Sequence, residues 1–197
     1  GEHANEKYGS ENCHYLPYGG SKMPFDDNSF DAVISFQVIE HIVEDRNYLS
    51  EIHRVLKTGG TLIITTPNRT NRLKPGQKPF NPFHVREYAP GEFEEVLKSS
   101  FKEAKVLGIR GNEGVQKIEL DRVKLGSGLI SFDRFNLRKL IPSSVKRQII
   151  WLLKALRNKG SEQQGDLDFM TRYRVEDFFV MEEHVEESLD LLAILKK

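Results

Sequence analysis

The sequence predicts an α/β fold organised around a parallel sheet, and three features of its first half carry that prediction. Residues 31–36, "DAVISF", form a nearly continuous apolar run, the pattern of a strand buried on both faces. Residues 61–66, "TLIITT", repeat that pattern after a stretch of helical periodicity. The links between them are short, so strand, helix and strand form one right-handed parallel crossover.

Whole-chain properties bound the reading. With 197 residues and 38% hydrophobic content, the chain can bury one sizeable core and carry an elaboration. Its 29 basic residues balance 29 acidic ones, so no global field draws it to nucleic acid. Cys13 is the only cysteine, which excludes an internal disulfide and a thiolate zinc site and fits a reducing cytoplasm. No signal-type segment is visible, and no apolar run approaches the roughly twenty residues that cross a bilayer, so a soluble or at most peripheral protein is expected.

Along the chain, "NCHYLPY" at 12–18 reads as a short strand, and Gly19-Gly20 then force a turn. "DDNS" marks a second turn before the 31–36 strand. Asp45 is the expected N-cap of a helix whose Tyr48, Leu49, Ile52, Val55 and Leu56 share one face, with Gly59 as its left-handed exit. After the 61–66 strand comes a long loop with Pro67, Pro75, Pro79 and Pro82 and the cations Arg69, Arg72, Lys74 and Lys78. Loops of that length bind or cover something. Pro90 opens a further helix with Phe93, Val96 and Leu97 inward, followed by a strand at 103–109.

Residues 110–187 break the alternation as a helical insert or lid, in which Ser143 begins a helix and "NKGSEQQGD" at 158–166 has linker composition. "SLDLLAILK" at 188–196 supplies the last strand. The expected organisation is therefore a core at 1–109, an insert at 110–187 and a closing core strand at 188–197.

In open parallel sheets the ligand lies beyond the carboxyl ends of the strands. Gln37, Glu40 and His41 follow one such end and, at i, i+3 and i+4, point the same way if a helical turn begins there. They are either a binding cluster or ordinary polar residues at a helix start.

"MPFDDNSFDAVISFQVIEHI" followed by "RVLKTGGTLIITTPN" resembles class I S-adenosylmethionine-dependent methyltransferases, over about residues 8–109 and again at 188–197. "TPNR" and "NPFHVREYAPGEF" are similar to the subgroup that includes ubiquinone-biosynthesis O-methyltransferases and methyltransferases of glycan and lipid pathways. The resemblance implies a Rossmann-like sheet and S-adenosylmethionine as cofactor. It places Met23 to Phe25 beside the adenine, and Phe36, Gln37 and His41 at the methionine end. Where relatives carry an adenine-binding aspartate this chain has Gly19, so Gly20 and Ser21 with their backbone groups are the expected substitutes. Some relatives hold a divalent cation through a Glu, Glu, His set at the places of Gln37, Glu40 and His41. Gln37 is a weaker donor than carboxylate, and no metal is expected.

The acidic-Gly-x-Gly-x-Gly turn of that family is absent. "LGSGLIS" at 125–131 follows charged "ELDRVK" and reads as a turn. The resemblance thus implies an incomplete sheet, without the first strands and glycine-rich loop, in a chain that begins part-way through its gene product. One edge of "DAVISF" should then lie exposed, and residues 12–18 should lack a sheet neighbour.

Methyl transfer from a sulfonium is an in-line displacement, so few side chains do chemistry. His84 is the candidate base, or else it only hydrogen-bonds the loop. Asn68 is placed to orient an acceptor hydroxyl and Arg86 to neutralise an acidic one. Residues 134–159 hold eight cations and no acid around "IIWLLKAL", either as a lid on the fold or as a helix on an anionic membrane. The expected function is O-methylation of a small-molecule, glycan or lipid-linked acceptor. The alternative is a non-catalytic fragment acting as a binding or membrane-associated module.

Overall fold

The computed structural model describes residues 2–18, 21–73, 76–79, 81–121 and 173–197. The expectations for Gly19, Gly20, the 125–131 turn, the Ser143 helix, the 134–159 basic segment and the 158–166 linker lie outside the described residues.

The chain starts with a short helix, α1 (Glu2–Tyr8), whose Asn5 side chain both donates to Tyr15 O and accepts from Tyr15 N at 2.6 Å. Residues 12–18 are not a strand. Among the described residues their one backbone pairing is a bridge from Cys13 to Ser10, and no described strand lies alongside to complete a ladder.

β1 (Phe30–Phe36), α2 (Asp45–Val55) and β2 (Leu56–Pro67) form the expected unit, and β1 runs parallel to β2 with Val33 opposite Leu62. Asp45 is the first residue of α2 rather than its cap, which is Glu44. The helix ends at Val55, and Leu56 already belongs to β2. Gly59, at φ +78°, bends that strand where the register between β1 and β2 shifts, so its freedom serves a bulge and not the helix exit.

Beyond β2 lie α3 (Arg69–Arg72), α4 (Pro90–Leu97) and β3 (Val106–Gly111). Pro90 at the start of α4 needs no N–H partner, and Glu92 accepts from Ala89 N at 3.1 Å. Residues 113–121 are helical. β4 (Phe178–Met181) falls in the stretch expected to be a helical insert, yet it extends the sheet beside β3. β5 (Asp190–Lys196) closes the chain.

The strand order is β1-β2-β5-β3-β4, with β5 antiparallel to both β2 and β3. The core forms where α2 and α4 cover one face: Leu49, Ile52, Phe93 and Leu97 are fully buried with Leu62, Ile64, Leu191 and Leu195 from the strands. Each such side chain contributes roughly 1.5–3 kcal/mol by leaving water. Burial of β1 departs from the two-sided expectation. Ile34 is 62% exposed and Phe36 56%, because β1 is an edge strand with nothing described on its other side or outer face. No helix among the described residues is long and apolar enough to cross a membrane.

Candidate active site

The carboxyl ends of β1 and β2 lie side by side, as the parallel pairing requires, and the polar residues that follow them converge. Gln37 leaves β1 with φ +55°, a left-handed conformation that costs about 1 kcal/mol for a residue with a Cβ. Its N–H still donates to Thr65 O at 3.1 Å, which pins the turn to β2. The chain then enters a 3-10 turn, Ile39–His41, closed by His41 N donating to Val38 O at 2.9 Å. Ile39 is buried in the core, and this anchor aims Glu40 and His41 at the site.

The loop after β2 returns to the same place. Val85 N and Arg86 N both donate to Glu40 O, at 2.7 and 3.3 Å. Arg86 Nη1 and Tyr88 Oη then meet Asp45 Oδ2 at 2.7 and 2.8 Å, locking the loop to the N-terminus of α2. Burial, with the Asp45 carboxylate beside it, pushes the Tyr88 hydroxyl far above its ordinary range, so it remains a donor.

These contacts bring His84 onto His41, with the two rings edge to face at 4.8 Å between centroids. The His84 side chain is 8% exposed, and its Nδ1 lies 2.7 Å from Oε1 of Glu87, whose side chain is fully buried. A carboxylate only accepts, so Nδ1 is the donor, and in the neutral imidazole Nε2 is left with the lone pair. His41 shows the same tautomer logic: Nδ1 lies 2.9 Å from Phe83 O, a carbonyl. Glu40, itself buried, accepts from Thr66 Oγ1 at 3.2 Å. One ligand atom from each of Glu40, His41 and His84 lies within 4.8 Å of the others, so these three could hold a cation.

Asp190 opens β5 opposite Pro67 at the same end of the sheet. Burial raises its carboxyl to about 6, the nearby Glu119 and Glu40 add to the rise, and Arg72 and a hydrogen bond from Gln37 oppose it. Sequence reasoning missed Asp190 and did not pair Glu87 with His84. A carboxylate three positions after a histidine, and an acid opening an otherwise apolar strand, were the available signals.

The remaining expected residues are placed differently from one another. Asn68 is fully buried and spent on the fold: Nδ2 donates to Val185 O and Ser188 O at 3.0 Å, and Oδ1 accepts from Thr70 N. Its side chain ties the end of β2 to residues 185–188 and leaves nothing for an acceptor. Arg86 is likewise engaged with Asp45 and, at 3.1 Å, with Val43 O. Phe36 is open to solvent.

Met23 belongs to a second cluster. Its N–H donates to Glu51 Oε2 at 2.8 Å, and Arg54 donates to Met23 O at 3.1 Å and to Phe25 O at 2.9 Å. The Arg54 guanidinium, more than the Met23 N–H, holds the Glu51 carboxyl down at about 2. This network clamps the 22–27 loop to α2 and shapes a cleft of about 510 Å³ lined by Lys22, Met23, Pro24, Phe25, Asp26 and Ser29. Ser21 is not among its lining residues; its carbonyl accepts from Asn47 Nδ2 at 2.9 Å. The cleft is open, and its lining mixes Phe25 and Met23 with polar groups. None of Phe36, Gln37 and His41 lines it.

Residues 2–64 match a family model described as a methyltransferase domain. A probable S-adenosylmethionine-dependent methyltransferase of Mycolicibacterium smegmatis is 31% identical over 179 residues, covering 88% of this chain and 61% of that protein. A protein of the same description from Mycobacterium tuberculosis strain H37Rv is 41% identical over 78 residues, covering 39% of this chain and 28% of that one. The chain therefore spans less than two thirds of the length of these curated relatives. Among solved structures, a methyltransferase of Thermotoga maritima described as a possible histamine N-methyltransferase superposes with a TM-score of 0.51 at 17% identity, covering 92% of this chain and 63% of that one. A protein described as a [4+2]-cyclase, SpnF, superposes with a TM-score of 0.50 at 16% identity, covering 99% and 61%.

Proposed function

We propose that this chain, which has the class I methyltransferase fold and a methyltransferase-domain match over residues 2–64, belongs to an enzyme that methylates a small-molecule, glycan or lipid-linked acceptor. S-adenosylmethionine, when bound, supplies an electrophilic methyl group on a sulfonium. Met23 and the cleft around it would take the nucleoside, while Phe36 and Gln37 would face the methionine end. His84 accepts the proton of an acceptor hydroxyl at Nε2, and Glu87 holds Nδ1 so that this lone pair stays presented. The fully buried Glu87 against a nearly buried imidazole, at 2.7 Å, is the observation that carries this role. Such a pair stabilises the imidazolium that proton transfer creates.

A lipid-linked acceptor suits the basic and apolar composition of residues 134–159, which would collect substrate at an anionic surface. The acceptor class is otherwise open, since this architecture hosts many chemistries, a cyclase among the neighbours described above.

The test is release of S-adenosylhomocysteine from S-adenosylmethionine in the presence of phenolic, glycan and lipid acceptor fractions. His84→Gln should lower kcat roughly 100-fold with the cofactor KM unchanged. Glu87→Gln should lower it less and shift the pH profile. Equal turnover by wild type and His84→Gln contradicts the assignment. A protein that binds S-adenosylhomocysteine and turns over no acceptor is the binding module instead.

A further inference from the structure

We infer a second ligand site, at the end of the sheet remote from the candidate active site: the cleft lined by Lys98, Lys102, Lys105 and Lys196 takes a phosphomonoester carried on an apolar body. β5 fixes its position. Lys196 is paired with Thr61, and Asp190, at the candidate active site, is paired with Pro67, six residues and roughly 20 Å along the strands. A small ligand in this cleft does not reach Gln37 or His84, so it is neither the methyl donor nor the acceptor.

The charges are unevenly matched. The lining sets four ammonium groups against one carboxylate, that of Glu103. Acids outside the cleft neutralise two of the four, Glu94 at Lys98 and Glu182 at Lys105. The other two keep their charge unanswered. Lys196 Nζ rests on neutral oxygens, Thr61 Oγ1 at 2.7 Å and Gly59 O at 3.3 Å, and Lys102 has no partner among the described residues. The next residue repeats the pattern: Lys197 Nζ donates to Leu56 O at 2.7 Å and Asn28 Oδ1 at 3.0 Å, again without a carboxylate. Like charges without counter-ions repel, and an anion placed among them relieves that repulsion. Nearby, His53 meets the Phe101 ring edge to face at 5.3 Å between centroids. Burial, and then the Lys197 charge, hold its imidazole below the ordinary value, so the positive field extends beneath this pole.

The same cleft is partly apolar. Ala104, Ile194 and Leu195 share its lining, and Ile194 is 54% exposed. Its volume of about 630 Å³ lies in the range of small-ligand sites. A bare inorganic anion would leave the apolar lining wet, and a neutral apolar molecule would leave the ammonium groups unmet. A phosphate ester with a hydrocarbon or aromatic body uses both. Lysine binds phosphate as a point charge on a flexible stem, which lets Lys102 and Lys98 close over a ligand seated on Ile194.

The test is titration of the 197-residue chain with 1-naphthyl phosphate, followed by calorimetry, beside inorganic phosphate and 1-naphthol. One site per chain is expected, with each comparison compound at least about tenfold weaker. Lys102→Gln and Lys196→Gln should each weaken binding about tenfold, and sodium chloride at about 1 M should remove most of it. Ile194→Thr should narrow the gap between 1-naphthyl phosphate and inorganic phosphate. Lys117→Gln removes the same charge outside the cleft and should leave the dissociation constant unchanged. Circular dichroism checks that each variant folds, and in the unsubstituted chain the amide resonances of residues 98–105 and 194–196 should shift on binding. Vesicles of phosphatidic acid in phosphatidylcholine separate the two sources of such an ester: binding that 1-naphthyl phosphate displaces makes it a lipid headgroup, and 1-naphthyl phosphate binding without vesicle binding makes it a soluble ester. No saturable binding, inorganic phosphate as tight as 1-naphthyl phosphate, or a loss through Lys117→Gln as large as through Lys102→Gln overturns the site. Methyl transfer is not read, so a chain inert as an enzyme still passes or fails.

Discussion

At the residue scale, Asp190 titrates near neutrality, at about 6, because burial outweighs Arg72 and the Gln37 hydrogen bond. A folded-state value above the usual carboxylate value of 3.8 means that the folded chain binds a proton more tightly than the unfolded one. The resulting stability is fully present below about pH 4 and is lost as pH rises through about 6. Asp190→Asn should therefore stabilise the chain at pH 7.5 by on the order of 2 kcal/mol and do nothing at pH 4. Thermal unfolding at the two pH values reads this directly, and an equal change at both contradicts it. His84 was legible in the sequence as an imidazole returning to the active end, and Glu87, its partner, was not given that role. The distinction between Asn68 as a ligand group and Asn68 as a fold tie was not legible. Its acceptors, Val185 O and Ser188 O, come from more than a hundred residues away.

At the element scale, β1 carries two jobs. Its end delivers Gln37, Glu40 and His41, while its free edge and Ile34 side chain face outward among the described residues. An exposed apolar edge strand is a template for pairing with another chain. Ile34→Lys should cost under about 0.5 kcal/mol, since the side chain is already exposed, and should reduce concentration-dependent association. Sedimentation velocity over a tenfold concentration range decides it; identical behaviour of wild type and variant removes the edge as a cause. The run "DAVISF" announced a strand, but its apolar content could not say whether neighbours would be present to bury it. β4 went unseen because four residues, "FFVM", are too few to show a period. Gly59 was legible as a left-handed residue and misplaced by a few positions, because a bulge and a helix exit use the same torsion.

At the scale of the whole molecule, local periodicity revealed β1, α2, β2, α4 and the closing strand, while the sheet order depended on pairings between distant segments. β5 runs antiparallel between β2 and β3, and that insertion places Asp190 beside Gln37. The two halves of the proposed cofactor surface, Met23 with its cleft and Phe36 with Gln37, are held by different anchors, Arg54 and Glu51 in one case and β2 in the other. Both halves are proposed to serve one donor of methyl groups. Titration of S-adenosylhomocysteine into the isotopically labelled chain, with backbone amide resonances followed to millimolar ligand, decides whether they do. Saturable shifts at Met23, Phe36 and Gln37 with a common dissociation constant are predicted. Shifts that never saturate, or that leave all three positions untouched, contradict it.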